Sequence, residues 1–189
     1  NATARMQNMI SNLLDFSIIS STEKPFVKTD LNEILSNVLM DLEVTIHQKN
    51  AIIEYDYLPT IEAVPIQIFQ LFLNLISNSL KFTTPDKFPI IQITCQDLSI
   101  NELIEYNLCK SHQYIKIEFQ DNGIGFDNAH ATKLFDLFKR LRGRSEFSGS
   151  GIGLAVCKKV ADRHNGLVRA YGEIGKGAVF KVILPAKHV

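Results

Sequence analysis

Asn74, Asn78 and Lys81 recur at i, i+4 and i+7, a spacing that puts two carboxamides and an ammonium on one face of a helix. A carboxamide oxygen is a hard ligand suited to magnesium, and a lysine offers phosphate a point charge. Asparagine is a poor helix former and costly when buried unpaired, so two of them inside an apolar helix call for a partner. Spacing alone also allows a polar stripe that touches backbone or water. Asp121 precedes Gly123 and Gly125, and glycines permit positive φ and close approach of backbone to a ligand. A buried aspartate there can accept a hydrogen bond from an exocyclic amine such as that of adenine. The same residues also spell a common Asp-Asn-Gly turn. Gly149, Gly151 and Gly153 run directly into a helix, whose free amides and dipole suit an anion; a flexible hinge is the alternative. Their GxGxG spacing is not the dinucleotide fingerprint, and no GxxxxGK[ST] loop occurs.

These residues need elements to position them. Residues 1–20 read as a helix in which Met6, Met9, Leu13 and Phe16 recur with heptad spacing, a face that requires a partner helix. A polar break from Ser20 to Pro25 marks a linker, placed at 21–29. Asp30 is set to cap a second helix with Glu33 reaching back, after which Leu31, Ile34, Leu35, Val38, Leu39, Leu42 and Ile46 share a face. A strand is expected over 51–57. Pro65 opens a third helix that runs to about Phe82 and is apolar over most of its circumference, hence buried. Strands follow at 89–96 and 114–120, separated by a polar insertion, 97–113, to which the sequence assigns no role. Residues 127–148 are mixed, with Leu134, Phe135, Leu137 and Phe138 as an apolar anchor. Helix 152–164 ends at Asn165-Gly166, and strands 167–172 and 178–184 close the chain around Gly175 and Gly177. This order predicts an α/β two-layer sandwich, a mixed and mostly antiparallel sheet with helices on one face.

Composition narrows the classes. An apolar content of 46% and a formal net charge of zero describe a globular chain without a field that would draw it to nucleic acid or an acidic membrane. The basic run from Lys139 to Arg144 is the one exception, and on its own reads equally as a solvated loop. Cys95, Cys109 and Cys157 lack metal-ligand spacing and suit reduced thiols in a cytoplasmic compartment. The longest apolar run falls far short of the ~20 residues of a membrane span, and the membrane status of the parent protein is not legible.

Together the motifs resemble those of the sensor histidine kinases, within the wider group of GHKL ATPases and kinases. Phe72 to Phe82 resembles that family's N box, Asp121 to Phe126 its G1 box, Leu134 to Phe138 its F box and Gly149 to Leu154 its G2 box. Gly175 to Ala178 resembles the glycine turn near the domain's end, and the set occurs in the family's order over about 30–185.

The resemblance implies a Bergerat-type ATP site. Asn78 would coordinate magnesium, Asn74 and Lys81 would contact water or phosphates, and Phe82 would border them. Asp121 would read adenine in a pocket shaped by Gly123 and Gly125. Residues 127–150 would form an ATP lid pinned by Phe135 and Phe138, leading into Gly149, Ser150, Gly151, Ile152, Gly153 and Leu154 against the phosphates. Arg140 matches an arginine that can reach the terminal phosphate in related kinases. Hydrolysing members of the group carry a glutamate where this chain has Asn74, so phosphoryl transfer is favoured over hydrolysis. The residues from Arg5 to Ser17 resemble the second helix of the dimerisation and phosphotransfer hairpin, giving an order of partial hairpin (1–20), linker (21–29) and catalytic domain (30–189). None of His47, His112, His130, His164 and His188 stands in a phosphoacceptor context, so the acceptor would lie on the absent first helix. The implied partners are ATP or ADP, a response-regulator receiver domain, and a second copy through the full hairpin. A GHKL ATPase and a non-catalytic nucleotide-binding scaffold are the alternatives.

Overall fold

The computed structural model describes residues 24–84, 86–139 and 151–188. The expected helix over 1–20, together with Arg140, Gly149 and Ser150, lies outside the described residues. The chain enters through β1 (Val27–Asp30), which pairs antiparallel with β3 (Thr60–Ala63). Neither short strand was expected, and the chain is thus already paired at Val27, within the stretch read as linker. Asp30 caps α1 (Leu31–Asp41), its Oδ1 accepting the Asn32 N–H at 2.8 Å. The single helix expected here breaks at Leu42, and α2 (Glu43–Gln48) follows it.

After β2 (Ile52–Tyr55) and β3, Pro65 opens α3 (Pro65–Lys81), where its missing N–H costs nothing. The remaining elements are β4 (Ile90–Asp97), α4 (Ile100–Glu105), β5 (Tyr114–Asp121), α5 (Gly153–Arg163), β6 (Leu167–Glu173) and β7 (Gly177–Pro185). Two 3₁₀ turns, Asn128–His130 and Thr132–Phe135, lie between β5 and α5.

The main sheet has the order β2-β4-β5-β7-β6. Only β2 and β4 run parallel, joined by the crossover through α3, and the other pairs are antiparallel. This is the expected mixed sheet. Alternation along the strands sends Ile91, Ile93, Ile117, Phe119 and Val182 to one face, where they meet Leu71, Phe72 and Leu75 of α3 and Val156 and Val160 of α5. The rings of Phe72 and Phe119 cross edge to face, with centroids 5.2 Å apart. α1 packs on the outer side of this layer through Leu31, Leu35 and Val38.

The insertion without an assigned role covers part of the other face. Its α4 contributes Leu103 to a small apolar cluster with Tyr114 and Ile183. Beneath it the buried Lys116 ammonium bridges Glu102 at 2.6 Å and Glu118 at 3.3 Å. Glu102 also completes a capping box with Ser99 at the start of α4. Lys116 first, and then Ser99, hold the Glu102 carboxyl down to about 2. The sequence hid this because a polar insertion that fixes itself through one buried lysine has no apolar period to read.

Candidate nucleotide-binding site

Asp121 is the last residue of β5, the middle strand, with Ile91 of β4 on one side and Ala178 of β7 on the other. Its Oδ1 accepts two backbone N–H groups, from Gly123 at 2.9 Å and from Ala178 at 3.2 Å. Its Oδ2 accepts the Ser79 hydroxyl from α3 at 3.1 Å. Burial pushes the carboxyl above its ordinary range, and these three donors pull the other way.

The glycines are required by contact. A Cβ at Gly123 would stand 2.6 Å from the Phe82 carbonyl and 2.8 Å from Asp121 Oδ1. Gly125 has φ +61, and a Cβ there would run into the Glu173 carbonyl. The Ile124 N–H donates to the Phe82 carbonyl at 2.8 Å, which fastens the glycine turn to the end of α3. Gly175, at φ +79, donates its N–H to the Ile124 carbonyl at 2.8 Å. The exit of β5, the end of α3 and the β6–β7 turn are thereby laced through backbone.

Asn74 and Asn78 lie on α3, both half-buried. Asn74 faces the start of α5: a Cβ at Gly153 would meet its Oδ1 at 2.8 Å. Among the described residues Asn74 Nδ2 is a buried donor without a hydrogen-bond partner. Gly151 has φ +74, Ile152 is buried, and Leu154 packs against the core. Among the described residues no side chain caps α5, so its leading amides are left for another acceptor. Lys81 directs its ammonium over the Phe82 ring, 4.4 Å from the centroid.

Residues 63–188 match the model of the histidine kinase-, DNA gyrase B- and HSP90-like ATPases, more than half of the chain. The chain belongs to that family. Within it, this is an ATP-binding catalytic domain of the sensor histidine kinase kind. Cyanobacterial phytochrome A of Nostoc sp. PCC 7120 is 33% identical over 95% of the chain, and the chain spans 22% of its length. The adaptive-response sensory kinase SasA of Prochlorococcus marinus MIT 9301 is 32% identical over 84% of the chain, which spans 40% of that kinase. The fold is that of histidine kinase ThkA as solved in complex with the response regulator protein TrrA, with a TM-score of 0.70 at 20% identity over 98% of this chain and 48% of that one.

In this ATPase domain the described part of the expected lid is held unevenly. Leu134 and Phe135 pack against the core as expected, whereas Leu137 and Phe138 are exposed. Phe138 is fixed by its backbone instead: at φ +63 its N–H donates to the Gly151 carbonyl at 3.0 Å, tying the two flanks of residues 140–150 together. Sequence reasoning missed Ser79 and the Ala178 N–H. Ser79 carried a signal, since it follows Leu75 by four residues and so falls on the buried face of α3. The Ala178 N–H carried none, because only the pairing of β5 with β7 brings it to Asp121.

Proposed function

We propose that this domain binds ATP with magnesium and passes the γ-phosphoryl group to a histidine on the first helix of a dimerisation hairpin, for relay to an aspartate of a response regulator. Residues 1–20 would supply the hairpin's second helix and 30–189 the catalytic domain, the linker (21–29) ending in the strand that already pairs with β3, and two copies would meet through the complete hairpin. The observation that carries this reading is the Asp121 carboxylate, half-buried at the end of the central strand and held by backbone N–H groups beside the helix that bears Asn78. Oδ2 keeps acceptor capacity beyond the Ser79 hydroxyl, which suits the exocyclic amine of adenine.

At the other end Asn74, which faces the start of α5, would meet the phosphates together with Asn78 and the leading amides of α5. The donor set fits magnesium bound mainly through phosphate oxygens and water. Asn78 offers one hard oxygen, and among the described residues no cluster of carboxylates, histidines or cysteines competes for the ion. When bound, the ion would neutralise phosphate charge. Asn74 has no basic atom with which to activate water, so hydrolysis is slow and the phosphoryl group is kept for transfer. The protein's contribution is positioning: the base fixed by Asp121, the phosphates by α5, Lys81 and Arg140.

The test is a thermal melt with ADP, with and without magnesium, against GDP. Ligand at about 100 times its dissociation constant adds roughly 2.7 kcal/mol of stability. A magnesium-dependent shift with ADP and none with GDP is the expected result. Equal shifts with both diphosphates would remove Asp121 as the base reader, and no shift at millimolar ADP would remove the nucleotide site altogether.

A further inference from the structure

Asp121 divides its two oxygens between backbone and side chain. Oδ1 already accepts two N–H groups, from Gly123 and Ala178, which use the capacity of one carboxylate oxygen. Oδ2 faces a single described donor, the hydroxyl of Ser79. Ser79 is 2% exposed and sits on α3 next to Asn78. Successive residues of a helix point about 100° apart. One helix therefore turns Ser79 inward to Asp121 while Asn78, half-buried, leaves the helix in a different direction.

We infer that Ser79 is the positioning residue for base selection: its O–H fixes the plane of the Asp121 carboxylate and leaves Oδ2 one acceptor direction, suited to a 6-amino purine and set against a 6-keto purine. The inference rests on the adenine reading of the site and deepens it. With Ser79 in place the carboxylate cannot rotate without giving up three hydrogen bonds. A keto oxygen at the same place would face the carboxylate oxygen with no proton between them. The groups that bear on the charge of Asp121 are the Gly123 N–H of its own loop, the Ser79 hydroxyl from α3 and the Ala178 N–H from β7, none of them titratable. Removing the hydroxyl takes away one of the three influences that oppose burial.

The experiment measures ADP and IDP affinities of the whole chain, wild type and Ser79→Ala, between pH 5 and 8. The hydrogen bond runs to a charged group, so its loss is expected to weaken ADP about tenfold, with a smaller effect on IDP. The fall of ADP affinity with acid should also begin at higher pH in the variant, because its carboxylate is easier to protonate. A hydroxyl that served only the fold would lower the melting temperature without moving that pH profile. His164 titrates alike in both proteins, so the comparison isolates Asp121. If Ser79→Ala does not fold, Ser79→Cys, with a weak S–H donor in a similar shape, carries the same expectation. An unchanged ADP-to-IDP ratio together with an unchanged pH profile would overturn the role of Ser79. Failure of the adenine reading itself would show separately, as undiminished ADP affinity in Asp121→Asn.

Discussion

The two ends of the nucleotide site are built differently. At the base end Asp121 holds three donors, and the loops around it are laced by backbone contacts too close for any Cβ at Gly123 or Gly125. At the phosphate end, among the described residues, Asn74 keeps a buried amide without a partner and α5 begins without a side-chain cap. A donor left unpaired in a folded interior costs of order 1–3 kcal/mol, a cost that an arriving phosphate oxygen can relieve. On the proposed assignment, the base end would be organised before the ligand arrives, and the phosphate end would be completed by it. The preorganised end would then set which nucleotide binds, while the incomplete end would tie affinity to the phosphates themselves.

The strongest way to break this contrast is to change the sign of the base reader. In Asp121→Asn the carboxamide oxygen can keep the Gly123 and Ala178 N–H groups while its NH₂ takes the place of Oδ2 and donates to Ser79 Oγ. An adenine amine would then meet an amine, and a 6-keto group would meet a donor. ADP affinity should fall about hundredfold, the ~2.7 kcal/mol of a hydrogen bond to a charged partner, and IDP should become the better ligand. Stability without nucleotide should hold or rise. Burial raises the carboxyl, so Asp121 favours the fold below its unfolded pKa of 3.8 and loses that contribution as pH rises through the folded value. At neutral pH the ionised group is a burden that a neutral carboxamide removes. A variant that lost both nucleotides equally would show that the base end is not wired as described.

The contrast continues along α5, whose open N-terminus is answered by a locked C-terminus. His164 is buried there, its Nδ1–H donating to the Val160 carbonyl at 2.8 Å and its Nε2 accepting the Val64 N–H at 3.1 Å. The bond from Val64 requires a neutral ring, because a protonated Nε2 cannot accept, whereas the bond to Val160 survives protonation. Burial above all pushes the imidazole down to about 4 from 6.5. A depressed histidine contributes stability that is present above the unfolded value and lost as pH falls toward the folded one. Between pH 7.5 and 5 the domain should therefore lose about 2 kcal/mol, read as a lower urea midpoint. Substituting His164 with glutamine should flatten that dependence even if it lowers stability throughout. A wild-type midpoint that stays level across this range would mean that the ring is not held neutral.

How much of this was legible depended on whether a residue's role is local. The cap at Asp30, the start of α3 at Pro65 and the stop after His164 were readable because proline, glycine and capping side chains act on their own neighbours. Asn74, Asn78 and Asp121 could be marked as chemistry from spacing, and their family order made the marks specific. The β1–β3 pair was missed because four-residue strands give too short an alternation to see. The wiring of Asp121 was missed because two of its three donors come from α3 and β7, 42 and 57 residues away in sequence. Phe138 misled for a related reason: its aromatic ring suggested burial, but its backbone makes the tie.

Gly153→Ala should have the smallest effect and sharpen the contrast most. Gly153 is the first residue of α5 and does not have positive φ, so alanine costs no backbone strain and improves helix propensity by up to about 1 kcal/mol. Among the described residues the atoms nearest the new Cβ belong to the Asn74 side chain, with Oδ1 at 2.8 Å and Cγ at 3.4 Å. Asn74 must swing aside, and its amide then no longer addresses the phosphates. Stability without nucleotide should stay within about 1 kcal/mol of wild type, since the displaced atoms belong to one side chain and not to the core. Affinity for ADP with magnesium should fall roughly fivefold to tenfold, the share of one hydrogen bond of about 1 kcal/mol. Adenosine, which engages the base end alone, should bind as it does to wild type. Calorimetric titration of both ligands decides the matter. If adenosine weakens in step with ADP, the two ends are one rigid unit and the distinction between them fails.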